Sequence, residues 1–272
     1  MNGIQILLIG LAFVAFALFG GVWAFQTYGI YRFDKAPQTP SAFGLITTQV
    51  VTFLSEDGTP LRAWMADPGP GRPMVLSFYG NFSSIGPSMQ RLAPLMVDGT
   101  GLVMLQYRGS GGAVGWPSET SFARDARSLY DQLDHLTGQS ITPNRRILHG
   151  FSLGAGVGSR LAAERPFAAV VLEASFPRAC MYYEKRYFGF PFCALMWAER
   201  FDIIDRIGTI TAPKLFVHAE KDQSVPLPWA LQLFAAAPDP KSFVALPDGG
   251  HADLARQGLI RAMQAFLSDQ ID

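Results

Sequence analysis

The chain has 272 residues, 49% of them hydrophobic, and its 22 Lys and Arg are balanced by 22 Asp and Glu. A net charge of zero and the lack of a basic stripe leave no surface for neutralising a phosphate backbone, so nucleic acid is not expected as a partner. The two cysteines, Cys180 and Cys193, make neither a disulfide framework nor a metal-ligand spacing, and no cofactor or metal is expected. They either form one bridge in an oxidising compartment or stay free.

In chain order, Ile4 to Phe25 is an unbroken apolar run in which Gln5 is the only strongly polar residue. At about 1.5 Å per residue it is long enough to cross a hydrocarbon core of about 30 Å, and it predicts a membrane helix. Trp23, Tyr28 and Tyr31 fall where an interfacial aromatic belt sits. The rival is a cleaved signal peptide with Val22-Trp23-Ala24 as its cleavage site, disfavoured by the length of the run and by the lack of Lys or Arg before it. Arg32 and Lys35 follow the run, a slight lean toward a cytoplasmic catalytic domain. Residues 1–35 therefore read as anchor and flank, residues 36–42 as a proline-broken linker and residues 43–272 as one large α/β domain.

Within that domain, Thr47 to Leu54 and Leu61 to Ala66 alternate in polarity around Glu56-Asp57-Gly58-Thr59, which predicts an antiparallel hairpin at one end of a sheet. Continuous apolar runs at Met74 to Tyr79, Leu102 to Tyr107, Ile147 to His149, Ala169 to Leu172, Lys214 to His218 and Ser242 to Leu246 predict strands buried on both faces. Helical patterns lie at about Gly86 to Val97, Ser121 to Leu136, Leu153 to Arg165, Leu227 to Ala236 and Ala252 to Leu267. Such alternation implies a mainly parallel central sheet with helices on both faces and ligands at the carboxyl ends of its strands. Phe176 to Pro213 breaks the alternation and is rich in aromatics, from Tyr182 to Trp197. It reads as a short helical cap giving a substrate pocket an apolar wall.

The chemistry centres on Gly150-Phe151-Ser152-Leu153-Gly154, set between a strand and a helix. A nucleophile elbow needs tiny neighbours around a serine held in a strained backbone, and Gly150 and Gly154 supply the room. A serine hydroxyl needs a base, usually histidine. Of the four histidines, His149 and His218 sit in apolar strands and His135 on a helix's polar side. His251 follows the last strand in the glycine-rich Pro247-Asp248-Gly249-Gly250-His251, the one placed to reach over Ser152. Asp222, just past the end of another strand, is the preferred carboxylate to orient it, with Glu220, Glu173 and Asp248 as alternatives. An oxyanion site needs two backbone amides, expected from Leu153 and Asn81. The glycines of Arg108-Gly109-Ser110-Gly111-Gly112 are a weak phosphate-cradle signal, because Trp116-Pro117 intervenes before any helix. Gly154-x-Gly156-x-Gly158 fits an elbow and close helix packing better than a dinucleotide fingerprint.

Taken together, Tyr79-Gly80-Asn81, Gln106-Tyr107-Arg108-Gly109, Gly150 to Gly154, Asp222-Gln-Ser-Val-Pro226 and Gly249-Gly250-His251 resemble an α/β-hydrolase over about Leu45 to Leu267. More narrowly the chain resembles the membrane-anchored serine hydrolases that include fatty-acyl protein thioesterases and lysophospholipid lipases. The resemblance implies an α/β-hydrolase fold and hydrolysis of an ester or thioester through an acyl-serine intermediate. Tyr79 departs from the pattern, since many such enzymes carry histidine before the glycine. As the oxyanion donor is a backbone amide, the departure alters shape more than mechanism. Serine at the nucleophile position excludes haloalkane dehalogenase and epoxide hydrolase chemistry, which need a carboxylate there. Anchor and aromatic cap favour an acyl or lipid-like substrate. A short soluble ester, a peptide, and a membrane-tethered binding protein without turnover are the alternatives.

Overall fold

The computed structural model describes residues 2–270. Helix α1 (Gly3–Ala24) is capped by Asn2, whose side chain accepts from the Gln5 amide while Gln5 answers the Asn2 amide. It is long and apolar enough to cross a membrane by length and composition, and its place near the N-terminus is one that a leader sequence shares. A π-helical turn, Phe25–Gly29, follows directly.

Beyond it stands one eight-stranded sheet: β1 (Gln49–Leu54), β2 (Pro60–Ala66), β3 (Met74–Phe78), β4 (Gly101–Leu105), β5 (Arg146–Phe151), β6 (Ala169–Glu173), β7 (Lys214–Ala219) and β8 (Lys241–Leu246). Their spatial order is β1-β2-β4-β3-β5-β6-β7-β8. β1 and β2 form the antiparallel hairpin, β2 joins β4 antiparallel, and every later pairing is parallel. Every residue of β3 to β7 is buried. Such strands read as continuous apolar runs because neither face meets water. β1 alternates and stays largely exposed, as an edge strand should.

The covering layers come from the crossover helices. α3 (Glu119–Asp131), α5 (Leu153–Glu164), α8 (Ile203–Arg206) and α9 (Leu227–Ala236) pack side by side, while α2 (Ile85–Leu92) and α11 (Leu259–Ser268) meet around the 3-10 turn Ala93–Asp98. α4 (Leu133–Thr137) and α10 (Leu254–Gln257) are short accessories. The helical pattern at 121–136 thus breaks in two at Gln132. Between β6 and β7 lie α6 (Ala179–Arg186), α7 (Phe192–Leu195) and α8. Cys180 and Cys193 are bridged, tying α6 to α7.

Because β4 and β5 leave β3 on opposite sides, the sheet's winding reverses between β3 and β5. A crevice opens outside the carboxyl ends of strands at such a switch point. The loops carrying Asn81 and Ser152 both emerge there.

Candidate active site

Ser152 sits between β5 and α5 with φ 52° and ψ −116°, a strained conformation for a residue with a side chain. What holds it there is crowding. A Cβ on Gly154 would stand 2.0 Å from the Phe78 carbonyl oxygen, and one on Gly150 would stand 2.6 Å from that of Gly154. The Ser152 amide donates to the Glu173 carbonyl at 2.9 Å, fixing the turn to the next strand.

Two loops bring side chains to this point. His251, after β8, lies with Nε2 2.9 Å from Ser152 Oγ and Nδ1 2.7 Å from Asp222 Oδ2. Asp222, after β7, accepts at Oδ1 from the Ser224 amide at 2.8 Å and the Val225 amide at 2.9 Å. Burial pushes its carboxyl up, but the hydrogen bond and charge of His251 outweigh that and hold it below its ordinary value. An ionised Asp222 accepts a hydrogen bond from Nδ1–H and so keeps the proton on that nitrogen, which leaves Nε2 as the acceptor facing the serine hydroxyl.

The other candidates have different partners. His149 is enclosed between Ser77 and Glu173, at 3.0 Å from each. His218 donates to the Val225 carbonyl at 2.8 Å, and burial pushes its pKa down. Glu173 is fully buried against Arg91 and His149, Asp248 pairs with Lys221 at the surface, and Glu220 is exposed. Arg108 is taken up by Asp125 and Asp57, which leaves its glycine loop without a free guanidinium for a phosphate. Gly156 and Gly158 face Phe201 and Leu148 closely, as packing glycines do.

Asn81 and Leu153 border the same pocket as Ser152. Leu153 is the first residue of α5, where an amide has no helical acceptor. The Asn81 loop is braced from two sides. Tyr79, in the place of the usual histidine, is buried, and its hydroxyl meets Ser110 at 2.8 Å and accepts from the Tyr107 amide at 3.1 Å. Burial pushes this phenol up to about 12, so it stays protonated. The Tyr107 hydroxyl donates back to the Tyr79 carbonyl at 3.0 Å.

The second brace is one that reading the sequence missed. The Asn81 side chain donates to the Ile30 carbonyl at 2.7 Å and accepts from the Arg32 amide at 2.9 Å. Residues 25–33, immediately after the apolar helix, are built into the domain. Gln26 is buried and accepts from the amides of Trp197 and Ala198, Phe25 packs on Tyr183 and Phe192, Tyr31 bonds Glu199, and Phe33 joins Tyr107 and Phe122. Tyr31 therefore faces protein and not the belt expected for it, whereas Trp23 and Tyr28 are exposed. The available signal was Gln26, the polar residue that ends a long apolar run.

Above Ser152 lies a cavity of about 390 Å³ walled by Phe151, Phe176, Tyr182 and Tyr183, with His251 at its edge. Two of those aromatics come from the cap helix α6.

A doubly wound sheet with a strained serine at its switch point, facing a histidine and a carboxylate from later loops, defines a hydrolase of the α/β class. Relatives agree. Over 265 residues the chain is 32% identical to an uncharacterised protein of Mycobacterium tuberculosis, covering 95% of this chain and 92% of that one. It is 30% identical over 240 residues to the alpha/beta hydrolase domain-containing protein WAV2 of Arabidopsis thaliana, covering 80% and 76%. It is also 30% identical over 189 residues to the lysophosphatidylserine lipase ABHD12 of Danio rerio, covering 62% of this chain and 48% of that longer protein. No family model matches the sequence. Among solved structures, the Pyrococcus furiosus esterase Pf2001 superposes with a TM-score of 0.70 at 16% identity, over 89% of this chain and all of that one, a likeness of fold. The chain belongs to the α/β-hydrolase family and is a hydrolase.

Proposed function

We propose that the protein is a serine hydrolase that cleaves carboxylic esters or thioesters of acyl or lipid-like substrates by way of an acyl-serine. The observation that carries this reading is the unbroken contact chain Asp222, His251, Ser152 at an apolar cavity. In the first half-reaction Ser152 Oγ attacks the carbonyl carbon while His251 Nε2 takes its proton. The Leu153 and Asn81 amides receive the oxyanion, and Asp222 holds the imidazolium that forms. The tetrahedral intermediate collapses, the bond to the alcohol or thiol breaks, and His251 returns the proton to that leaving group. Water then repeats the cycle on the acyl-serine, releasing the acid and restoring Ser152. The aromatic cavity and the lipase among the relatives support an acyl substrate. α1 serves as a membrane anchor in this reading, since Val22 is buried and Phe19 stacks on Trp197 of the cap at 4.6 Å, contacts that use the helix as part of the protein.

The test is fluorophosphonate labelling of detergent-solubilised parent, Ser152→Ala, His251→Ala and Asp222→Asn. Labelling should vanish in the first two variants and slow by roughly 10³–10⁴-fold in the third. A parent that stays unlabelled beside a labelled reference hydrolase would leave a binding protein on this fold as the better reading. An ester series then reads the substrate class: activity should rise with acyl length, and a flat or falling series removes the lipid part.

A further inference from the structure

A second cavity, of about 310 Å³, adjoins the first and shares Phe82, Tyr182 and Tyr183 with it. Its far wall is the segment after the apolar helix, Gly29, Ile30 and Arg32, together with Arg186 at the end of α6. No acidic residue lines it. Arg32 uses its backbone amide to hold Asn81, and Arg186 lies over the Tyr187 ring at 5.8 Å, but neither guanidinium meets a carboxylate among the described residues. Arg62, Arg145, Arg256 and Arg261 share that lack, but of these six arginines only Arg32 and Arg186 line a cavity that adjoins the one above Ser152. Tyr183 adds a donor. Burial pushes its phenol well up, so it stays protonated. Both arginines are exposed to solvent at the rim, and with no acid in the lining an anion is the group whose charge they would attract there. Guanidinium forks match the oxygens of phosphate or carboxylate.

We propose that this cavity binds an acidic group of the substrate, a phosphate or carboxylate carried beside the scissile ester, so that the preferred substrate is an anionic amphiphile. The inference rests on the hydrolase reading for the ester and on the cavity alone for the acid. With the acyl chain among Phe151, Phe176 and Tyr182, the acidic group reaches Arg32 and Arg186 past Phe82 and Tyr183. Arg32 stands eight residues beyond the end of α1. If that helix spans a membrane, the arginine lies at headgroup depth, where a lipid presents its charge.

Full-length protein in nanodiscs of zwitterionic lipid serves for the test. The first readout is the ratio of kcat/KM on dodecanoyl-glycerol-3-phosphate to that on monododecanoylglycerol, which share the reacting ester. The parent should favour the acidic ester by about tenfold or more, and Arg32→Gln and Arg186→Gln should each cut the ratio about tenfold, mainly through KM. Arg186→Lys should retain most of it. The second readout is calorimetric binding to Ser152→Ala, where dodecyl phosphate should bind more tightly than dodecanol and lose its advantage on Arg186→Gln. A ratio near one in the parent, or one unmoved by either glutamine, overturns the subsite. Equal losses on both esters would mean the arginines only shape the pocket, and a loss of affinity for anionic vesicles with no change in the ratio would mean they face the bilayer instead. Inorganic phosphate binding as well as dodecyl phosphate overturns the amphiphile. Arginine-dependent binding of dodecyl phosphate with no turnover of either ester would keep the anion site and sink the hydrolase reading.

Discussion

Glu173 and Asp222 are both buried carboxylates near the carboxyl ends of adjacent strands, and their partners separate them. Asp222 faces His251, whereas Glu173 is locked by Arg91, with one contact at 2.9 Å, and by His149 at 3.0 Å. Burial pushes the Glu173 carboxyl up, yet the Arg91 charge and the two partners' hydrogen bonds bring it down to about 2 from 4.5. A depressed carboxyl stabilises the fold above its unfolded value and loses that contribution as pH falls from about 4.5 toward 2. Glu173→Gln should therefore destabilise by about 3 kcal/mol at pH 7, since it leaves Arg91 unpaired. In thermal melts the gap between parent and variant should narrow below pH 4. A gap independent of pH would mean that packing, not the ion pair, sets it. Residue order along the chain separated His251 from His149, His135 and His218, because only one histidine follows a strand in a glycine-rich loop. It preferred Asp222 but kept Glu173 as an alternative, because both follow apolar strands and it is their cross-strand partners that differ.

At the scale of elements, the parallel strands were legible because burial on both faces leaves long apolar runs, and the elbow because sterics there admit only glycine two residues to either side of the serine. The docking of residues 25–33 was not. An apolar stretch beside a membrane helix looks the same whether lipid or protein covers it, and the bonds from Asn81 to Ile30 and Arg32 join positions far apart in the chain. This element has a functional consequence if Asn81 supplies an oxyanion amide, because the segment fixes the loop that aims it. Removing residues 1–24 should leave turnover of a short soluble ester within a few-fold of the parent, since residues 25–33 remain. Removing residues 1–35 should cost about 100-fold or more, as small misplacements of catalytic groups do. Asn81→Ala, which deletes both bonds and keeps the backbone amide, should cost about tenfold in kcat with little change in KM and lower stability by about 1–3 kcal/mol. Equal rates for the two truncations would reduce the segment to a tether.

At the scale of the whole molecule, two features bear on which compartment the domain occupies, and they pull apart. Arg32 and Lys35 follow α1 with no basic residue before it, which leans the domain toward the cytoplasm. The Cys180–Cys193 bridge across the cap belongs to an oxidising compartment. The charge signal is the weaker. Arg32 lines the cavity that adjoins the one above Ser152, so the anion site proposed there gives it a reason unrelated to insertion, and Lys35 alone carries little bias. Bridges, by contrast, are rare in reducing compartments, and the cap that this one ties walls the cavity above Ser152. The domain is therefore expected on the oxidising face, whether α1 anchors it there or is removed on the way. In bacterial cells, an alkaline phosphatase fused to the C-terminus should be active, and a maleimide-polymer gel shift should modify neither cysteine until a reductant is added. An inactive phosphatase together with two thiols that react at once would place the domain in the cytoplasm and leave the cap held by its packing on Phe25 and its hydrogen bonds to Gln26 and Tyr31, without the bridge.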